Sequence, residues 1–325
     1  MYARTVPVHF SKSVHLYTFR TLCPRTHRTL HLQARLTLRM DIRHFEHLIS
    51  LKDSKPELVA RLRSCSGQGS WLRNSVDMPG DAWRIAMRMR LGLPPADFED
   101  AMQCPGCQGQ ITSKELVTHA LSCNKVAGVT KVHRHNRVMN SIVRTLNAHS
   151  IGTFPVPVGY NDKHKGQRTA ERPDFVIVSH NDLICTDVTI GMPTAKAYKK
   201  HAAKTDQWTA NYLERLKCLK HGGAAESHRH KFIPFAMEAF GRLGEKTTNL
   251  IRMLGERHGP AVAWELREAI AIEQQRANVD MLVMFMTTRP RGSETSHTAC
   301  GPRPKSWQYR TALNHQAELQ SSIER

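Results

Sequence analysis

Two aspartates, Asp174 and Asp187, lie thirteen positions apart within two stretches that are rich in Val, Ile, Phe and Thr. The stretches, residues 174–179 and 183–190, have the composition of β-strands, and the polar pair Asn181-Asp182 between them is typical of a tight turn. The pattern predicts a β-hairpin that carries one acid on each strand. Because carboxylates are the ligands that hard divalent cations prefer, the hairpin predicts a metal site.

The pairing register decides whether the two acids can share one ion. If Asn181-Asp182 form a two-residue loop, Asp187 lies opposite Val176, and Asp174 lies two residues further along on the same face. Diagonal neighbours of this kind have Cβ atoms within roughly 7 Å of each other, so both carboxylates can reach one cation. A shift of one residue would send the acids to opposite faces. The alternative is that the acids serve turn formation or solubility at strand ends.

A second group of metal-binding residues precedes the hairpin, and its members are Cys104, Cys107, His119 and Cys123. Two thiolates at C-x-x-C spacing chelate a metal from one turn, and a His and a Cys four residues apart lie on one face of a helix. The pair Thr112-x-x-Glu115 has the spacing of a capping box and predicts where this helix begins. A redox C-x-x-C is the alternative, but no βαβ pattern surrounds it. We predict a structural zinc site, whose four protein ligands leave no open position for catalysis.

The charge of the chain indicates a polyanionic partner. The 325 residues include 47 Lys and Arg against 28 Asp and Glu, which gives a net charge of +19 and a pI near 9.9. A protein of this charge binds phosphate backbones through counterion release, with strong salt dependence. We therefore expect DNA as a partner. The alternatives are a charge that serves solubility alone and an acidic protein surface as the partner.

The composition also disfavours other classes of protein. No apolar run reaches the ~18 residues that a membrane span needs, so no membrane partner is expected. The chain does not start with a basic-then-apolar secretory signal. Of the eight cysteines, those outside the zinc group are scattered singly, which does not predict a disulfide framework. We expect a reducing compartment.

Five regions are expected along the chain. Residues 1–40 contain no acid and form a basic arm, expected to be disordered, although a mitochondrial presequence has the same composition. Residues 41–100 have helical apolar periodicity, and residues 101–125 hold the zinc ligands. Residues 126–287 form the main domain, and residues 288–325 have the composition of a disordered tail.

Helices and the hairpin alternate in the first half of the main domain. The apolar pattern predicts an amphipathic helix over 134–149, and a Pro- and Gly-containing loop is expected over 152–172 before the hairpin. A long helix is then expected from 194 to about 219, and Gly222-Gly223 is the predicted stop signal.

One more strand and two helices complete the predicted domain. Residues 232–237 have strand composition, and Pro234 within them suggests a strand end or an edge. Helices are expected near 243–254 and 262–277. The order of elements predicts an α/β (α+β) fold, with a small mixed β-sheet flanked by helices.

Several motifs follow each other in a distinctive order: Ser70-Trp71-Leu72, Arg88-Met89-Arg90-Leu91-Gly92-Leu93-Pro94, Cys104-x-x-Cys107, His119-Ala120-Leu121-Ser122-Cys123, Arg134-His135-Asn136, Arg172-Pro173-Asp174, Asp187-Val188-Thr189 and Pro234-Phe235-x-x-Glu238-x-Phe240-Gly241. In this order, over residues 70–255, they resemble the C-terminal part of the proteins encoded by site-specific non-LTR retrotransposons. In that family a zinc knuckle precedes a restriction-like endonuclease of the PD-(D/E)XK class.

The resemblance implies a restriction-endonuclease-like core that nicks DNA at the target site of the element. Asp174 and Asp187 would bind Mg²⁺ or Mn²⁺ there, the element RNA would be a further partner, and the nucleus would be the compartment. The basic N-terminus leaves the mitochondrion as the alternative. The chain contains no Asp-Asp dipeptide of the kind that reverse transcriptases carry, so the polymerase domain itself is not expected here.

The sequence departs from the simplest nuclease pattern at Thr189, two residues after Asp187, where a lysine is usual. The resemblance suggests that the lysine is displaced onto the following helix. The candidates are Lys204 as the first choice, Lys217 as the second, and Lys199 and Lys200. A lysine on a basic protein is more often only a solvated charge.

Nucleic-acid contacts are expected from the following basic residues: Arg134, His135, Lys165, Arg168 and Arg172. For Arg134, His135 and Asn136 a structural role in the helix is an equal alternative. Three functions remain open: a metal-dependent endonuclease, a nucleic-acid-binding protein without catalysis, and a zinc-organised module that binds acidic proteins.

Overall fold

The computed structural model describes residues 46–65, 70–73, 78, 80–94, 101–125, 127–157, 160 and 172–288. The predicted basic arm, Lys165, Arg168 and nearly all of the predicted tail lie outside the described residues. Within the described part the chain is a mixed α/β structure in which helices flank small mixed sheets, and no barrel is formed. The coarse fold class predicted from the sequence is thus confirmed.

The first described elements are helical: residues 46–50, then α1 (Pro56–Cys65), α2 (Ser70–Arg73) and α3 (Gly80–Leu91). Helix α1 begins with a proline, which has no N–H group that would lack a hydrogen-bond partner. The negative charge of Glu57 in the first turn interacts favourably with the positive end of the helix dipole. Arg61 of α1 is buried and donates a hydrogen bond of 2.9 Å to the Met89 carbonyl oxygen. This bond ties α1 to the last turn of α3.

A short hairpin and helix carry the cysteines, and these elements are β1 (Met102–Gln103), β2 (Gln110–Ile111) and α4 (Leu116–Ser122). One oxygen of Glu115, Oε2, accepts hydrogen bonds from the Thr112 N–H at 3.3 Å and from the Thr112 hydroxyl at 2.9 Å. The Thr-x-x-Glu pair therefore helps to fix the start of α4. Leu116 and Leu121 of α4 are fully buried in the core that Phe285 also enters.

Two long helices pack along each other, α5 (Ala127–Ala148) and α9 (Pro260–Thr287). The buried face of α5 repeats at helical spacing through Val138, Ile142 and Leu146. On its other side, Arg137 lies between Glu273 and Asp280 of α9, with 2.8 Å between Arg137 Nη2 and Glu273 Oε2. Helix α9 is much longer than the predicted segment 262–277, because its buried residues continue to Phe285.

The strands are β3 (Thr153–Pro155), β4 (Phe175–Ser179), β5 (Asp182–Thr186), β6 (Val188–Gly191), β7 (Lys231–Phe232) and β8 (Phe235–Glu238). One sheet has the order β3-β4-β5-β7, with only the β5 and β7 pair parallel, and β6 pairs with β8 in parallel. The two sheets continue each other, interrupted at Asp187 and at Pro234, which has no N–H to donate. Strand β3 lies in the stretch that was predicted to be a loop.

The hairpin forms, but its loop is one residue earlier than predicted. Ser179 pairs with Asp182, so the loop is His180-Asn181, and His180 adopts a left-handed conformation with φ 52°. Asp182 is held in the strand because its carboxylate pairs with Lys231 at 2.7 Å and Arg257 at 2.8 Å. The predicted pairing of Asp187 with Val176 is therefore wrong, since Val176 pairs with Cys185.

The segment predicted as one long helix is two helices, α6 (Lys199–Lys204) and α7 (Trp208–Ser227). Gln207 separates them with φ 59°, a left-handed conformation that ends a helix. Gly222 and Gly223 do not stop α7, which runs through them to Ser227. Ala224 and Ala225 beyond them are buried, and this packing outweighs the low helix propensity of glycine.

The start of α8 (Glu245–His258) is capped by side chains of α7 rather than by its own N-cap, Gly244. The carboxylate of Glu214 accepts hydrogen bonds from the Lys246 N–H at 3.0 Å and the Thr247 N–H at 2.9 Å. A Cβ at position 244 would overlap this carboxylate, so a larger residue there would displace Glu214 from these N–H groups. Helices α7 and α8 are thus joined where α8 begins.

Candidate metal centre

Asp174 and Asp187 face each other across the open end of the hairpin. The last paired residues of β4 and β5 are Phe175 and Thr186, so the two acids are directly opposite each other one step beyond. The Asp174 N–H donates to the Thr186 carbonyl oxygen at 3.0 Å, which continues the ladder to this step. Moving the loop by one residue changes the pairing register by two residues. A shift by an even number of residues keeps both acids on the same face of the hairpin.

Both oxygens of Asp174 are held in place. The Val188 N–H donates to Asp174 Oδ2 at 2.6 Å, and His135 Nε2 lies 3.1 Å from Asp174 Oδ1. The Asp174 side chain is 16% exposed and that of His135 is 29% exposed, so both are partly accessible to solvent. The hydrogen bond with Asp174 raises the pKa of His135 above its ordinary value.

Asp187 is the more buried acid, with only 6% of its side chain exposed. Lys217 Nζ lies 2.6 Å from Asp187 Oδ2, and His221 Nε2 lies 4.0 Å from Asp187 Oδ1. Burial raises the pKa of Asp187 to about 6, the charge of Asp174 adds to this, and Lys217 opposes it. Burial and the nearby Lys217 lower the pKa of His221 to about 4, so this imidazole is neutral at pH 7.

Helix α7 supplies both cationic and imidazole groups from one turn. Lys217 and His221 are four residues apart, so they lie on the same face of α7. The helix approaches the sheet closely at Gly191, where a Cβ would lie 2.6 Å from side-chain atoms of both Thr209 and Leu213. The absence of a side chain at Gly191 therefore allows this close packing of α7 on β6.

The lysine prediction needs correction. Lys204, the first choice, lies at the end of α6 with its Nζ 3.7 Å from Asp53, and both side chains are mostly exposed. Lys217, the second choice, is the lysine that contacts Asp187. The break at Gln207 turns α6 away from the acids, and Lys199 and Lys200 lie in the first turn of that same short helix. The four-residue spacing of Lys217 and His221 was the signal that the sequence analysis missed.

The arrangement has the donors for a hard divalent cation. The two acids lie opposite each other in the hairpin register, and Asp187 Oδ2 is buried and, apart from the Lys217 ammonium, accepts no hydrogen bond from the described residues. A cation here would offset both the burial and the repulsion from Asp174 that together raise the pKa of Asp187. His135, which the sequence analysis assigned to nucleic acid or to helix structure, instead holds Asp174 in position.

The other predicted nucleic-acid contacts have different surroundings. Arg134 is 3% exposed and donates to Asn278 Oδ1 at 3.0 Å, so the structural role is favoured over a phosphate contact. Burial lowers the pKa of Arg134 to about 10. Arg172 is exposed and donates to the Val156 carbonyl oxygen at 3.1 Å, and its contact with nucleic acid stays a prediction.

The predicted zinc ligands come together: the ligand atoms of Cys104, Cys107, His119 and Cys123 all lie within 4.8 Å of one another. Cys104 Sγ is 3.8 Å from Cys123 Sγ, and Cys107 Sγ is 3.5 Å from His119 Nε2. The N–H groups of Gly106 and Cys107 each donate to Cys104 Sγ at 3.4 Å, which favours its thiolate form. This Cys3His cluster can bind a metal ion such as zinc.

Comparison with protein-family models gives no match to the chain, and comparison with curated proteins gives none either. The resemblance to retrotransposon proteins therefore stays an expectation that depends on the motifs alone. Among the described residues, no helix is long and apolar enough to cross a membrane.

Proposed function

We propose that the protein is a divalent-metal-dependent endonuclease that hydrolyses phosphodiester bonds in DNA, with a restriction-endonuclease-like core and a structural zinc site. The observation that carries the proposal is the convergence of Asp174, Asp187 and Lys217 at one end of the hairpin, with 2.6 Å between Lys217 Nζ and Asp187 Oδ2. The net charge of +19 supports DNA as the substrate. The proposal also places the protein in the nucleus.

In this mechanism the chain supplies the ligands and fixes their positions. Asp174 and Asp187 would bind Mg²⁺ or Mn²⁺, which when bound supplies an activated water and stabilises charge on the phosphate. Lys217 would neutralise charge that develops on the phosphate, as ammonium groups do in such sites. His135 and the Val188 N–H hold the Asp174 carboxylate in position, so that this side chain would need little rearrangement to bind the ion.

Nicking of supercoiled plasmid with added Mg²⁺ or Mn²⁺ tests the proposal. We expect Asp174→Ala to abolish nicking and Lys217→Ala to lower its rate roughly a hundredfold, because one preorganised charge contact is lost. Lys204→Ala is the matched control and should nick at the wild-type rate, since this lysine pairs with Asp53. Nicking that persists in a purified, folded Asp174→Ala protein contradicts the proposal.

One observation favours a second function, nucleic-acid binding without cleavage. The contact of Lys217 with Asp187 can neutralise the buried acid by itself, which would make the pair a structural ion pair. In that case DNA binding would weaken steeply with salt, would ignore Asp187→Asn, and would come with no cleavage at any divalent-cation concentration.

A further inference from the structure

The Lys217 ammonium lies directly beside an oxygen that a divalent cation would need. Lys217 Nζ is 2.6 Å from Asp187 Oδ2, and this oxygen is buried. Carboxylate oxygens hold Mg²⁺ at about 2.1 Å, so an ion on the same oxygen would lie less than about 5 Å from the ammonium nitrogen. Like charges that close repel strongly in a protein interior. The lysine therefore hinders the binding of an ion to Asp187 as long as it keeps this contact.

The lysine is the movable partner of the pair. The Lys217 side chain is 26% exposed, so its ammonium can turn towards solvent on a flexible four-carbon stem. The Asp187 side chain is only 6% exposed and directly follows β5, which fixes it in the hairpin. A buried carboxylate that loses its cation is strongly destabilised. Lys217 is thus expected to leave Asp187 when another cation replaces it.

A DNA phosphate can bind the ammonium that an ion displaces. Phosphate oxygens accept charge-assisted hydrogen bonds from lysine, and the net charge of +19 favours a polyanion at the surface of this protein. Without DNA, an ion has to displace Lys217 into solvent. Without an ion, a phosphate that attracts Lys217 leaves Asp187 buried and unpaired. Only when ion and DNA are both present does each charged group have a new partner.

We propose that Lys217 takes the place of the divalent cation in the free protein and turns to a DNA phosphate when the ion binds, so that ion and DNA bind cooperatively. This inference rests on the proposed function, since it requires Asp187 to be a ligand of the ion. The ion and the DNA then raise each other's affinity by the same factor, because the coupling between two binding sites is reciprocal.

Electron paramagnetic resonance of Mn²⁺ tests the displacement without DNA, because the signal of the free ion decreases as the protein binds it. At pH 8, above the pKa of about 6 of Asp187, we expect Lys217→Met to bind Mn²⁺ about tenfold more tightly than the wild type. The variant has no ammonium that the ion must displace. Lys204→Met removes the same charge beside Asp53, and this matched control should bind Mn²⁺ like the wild type.

Fluorescence anisotropy of a labelled duplex tests the coupling to DNA. We expect added Mn²⁺ to tighten duplex binding by the wild type about tenfold more than duplex binding by Lys217→Met, because only the wild type has a lysine that changes partners. The comparison of the two proteins cancels the screening of DNA by the added ion. A nicked duplex stays base-paired, so cleavage does not disturb this measurement.

A second variant covers the case in which Lys217→Met does not fold. Lys217→Gln keeps a hydrogen-bond donor beside Asp187 without the charge, and the same gain in Mn²⁺ affinity is expected. The proposal is overturned if the folded variants bind Mn²⁺ no more tightly than the wild type, as they would if Lys217 and Asp187 were a structural ion pair. It is also overturned if Asp187→Asn binds Mn²⁺ as tightly as the wild type.

The two proposals can fail separately, because neither binding measurement depends on nicking. If Lys217→Met binds Mn²⁺ more tightly but the wild type nicks no plasmid, the displacement is supported and the endonuclease is contradicted. If the wild type nicks plasmid but Lys217→Met gains no affinity for Mn²⁺, only the displacement is contradicted.

Discussion

Three acids with little exposed surface, Asp174, Asp187 and Glu238, are each stabilised by a different set of contacts. Asp174 accepts a backbone hydrogen bond, and Asp187 has an ammonium group beside it. Glu238, at the end of β8, is 2% exposed and accepts a hydrogen bond from the Thr209 N–H at 3.1 Å. Burial raises the pKa of Glu238 to about 7, because its hydrogen bonds offset only part of the lost hydration.

The raised pKa of Glu238 predicts a stability that falls as pH rises. A folded-state pKa above the ordinary value of 4.5 means that the folded protein holds its proton longer than the unfolded chain. The free energy of unfolding should therefore decrease between about pH 4.5 and pH 7, by roughly 3 kcal/mol from this group. We expect Glu238→Gln to remove that part of the decrease, as measured by urea unfolding at pH 5 and pH 8.

Glu256→Gln is the control for this measurement, since Glu256 is 67% exposed and pairs with Arg252 at the surface. Its pH dependence should equal that of the wild type. A Glu238→Gln protein whose stability still decreases by the wild-type amount between the two pH values would show that the ionisation of Glu238 is not linked to folding.

Whether the role of a single residue could be predicted depends on how far apart in the sequence its contacts lie. The zinc ligands follow from spacing within a turn and a short helix, so Cys104, Cys107, His119 and Cys123 were found together. Lys217 contacts an acid thirty residues earlier, and the sequence alone ranked Lys204 above it. Lys204 lies on a separate short helix and pairs with Asp53, whereas α7, which carries Lys217, packs against β6 at Gly191.

The hairpin shows, at the scale of elements, the same contrast between local features that could be predicted and long-range contacts that could not. Strand composition and a two-residue loop were enough to place both acids on one face, because parity survives a shift of the loop by one position. The position of the loop was not predictable, since Asp182 is held in the strand by Lys231 and Arg257 from elements far along the chain. Long-range ion pairs of this kind leave no local pattern.

Helix α7 offers a test of glycine as an element-breaking residue. Gly222 and Gly223 lie within the helix, and a Cβ at either position would meet no atom within 4 Å. We expect Gly222→Ala and Gly223→Ala each to raise the free energy of unfolding by about 0.5 to 1 kcal/mol, because alanine loses less conformational entropy in a helix. Urea denaturation of the two variants measures this change.

Gly191→Ala is the opposing case for the same measurement, because its Cβ would lie 2.6 Å from Thr209 and Leu213 atoms. This variant should be less stable than the wild type, and its nicking rate should fall as α7 moves away from the sheet. An unchanged or lower stability of Gly222→Ala and Gly223→Ala would mean that the glycines serve a conformation other than the helix.

On the scale of the whole molecule, the segment that carries the Cys3His cluster contributes to a core that the two ends of the described chain share. His119 makes an edge contact with Phe285 of α9, with ring centroids 5.8 Å apart. Trp71 and Met89 from the first helices are buried in the same cluster. The coarse layout of helices around a small sheet was predictable because it follows from apolar periodicity, whereas this shared core joins segments that are far apart in sequence.

Loss of the metal should therefore loosen the N-terminal helices together with the end of α9. We expect Cys123→Ser to abolish stoichiometric zinc binding and to lower Tm by several degrees, because metal affinity contributes directly to folding free energy. Zinc content by elemental analysis and thermal unfolding by circular dichroism measure the two effects. Cys218→Ser is the matched control, since Cys218 lies on α7 outside the cluster. Full zinc content in the Cys123→Ser protein would contradict the assignment of the four ligands.

Because Glu214 of α7 caps the start of α8, the position of Lys217 on α7 is linked to the Lys246 and Thr247 N–H groups, whose exchange can be measured. Glu214 and Lys217 are three residues apart on α7, so any displacement of that turn withdraws the acceptor from the Lys246 and Thr247 N–H groups. Those two N–H groups should exchange with deuterium only when this turn of α7 moves away from the start of α8. Their exchange rates would thus report, in the intact protein and without DNA, how often the lysine leaves its place.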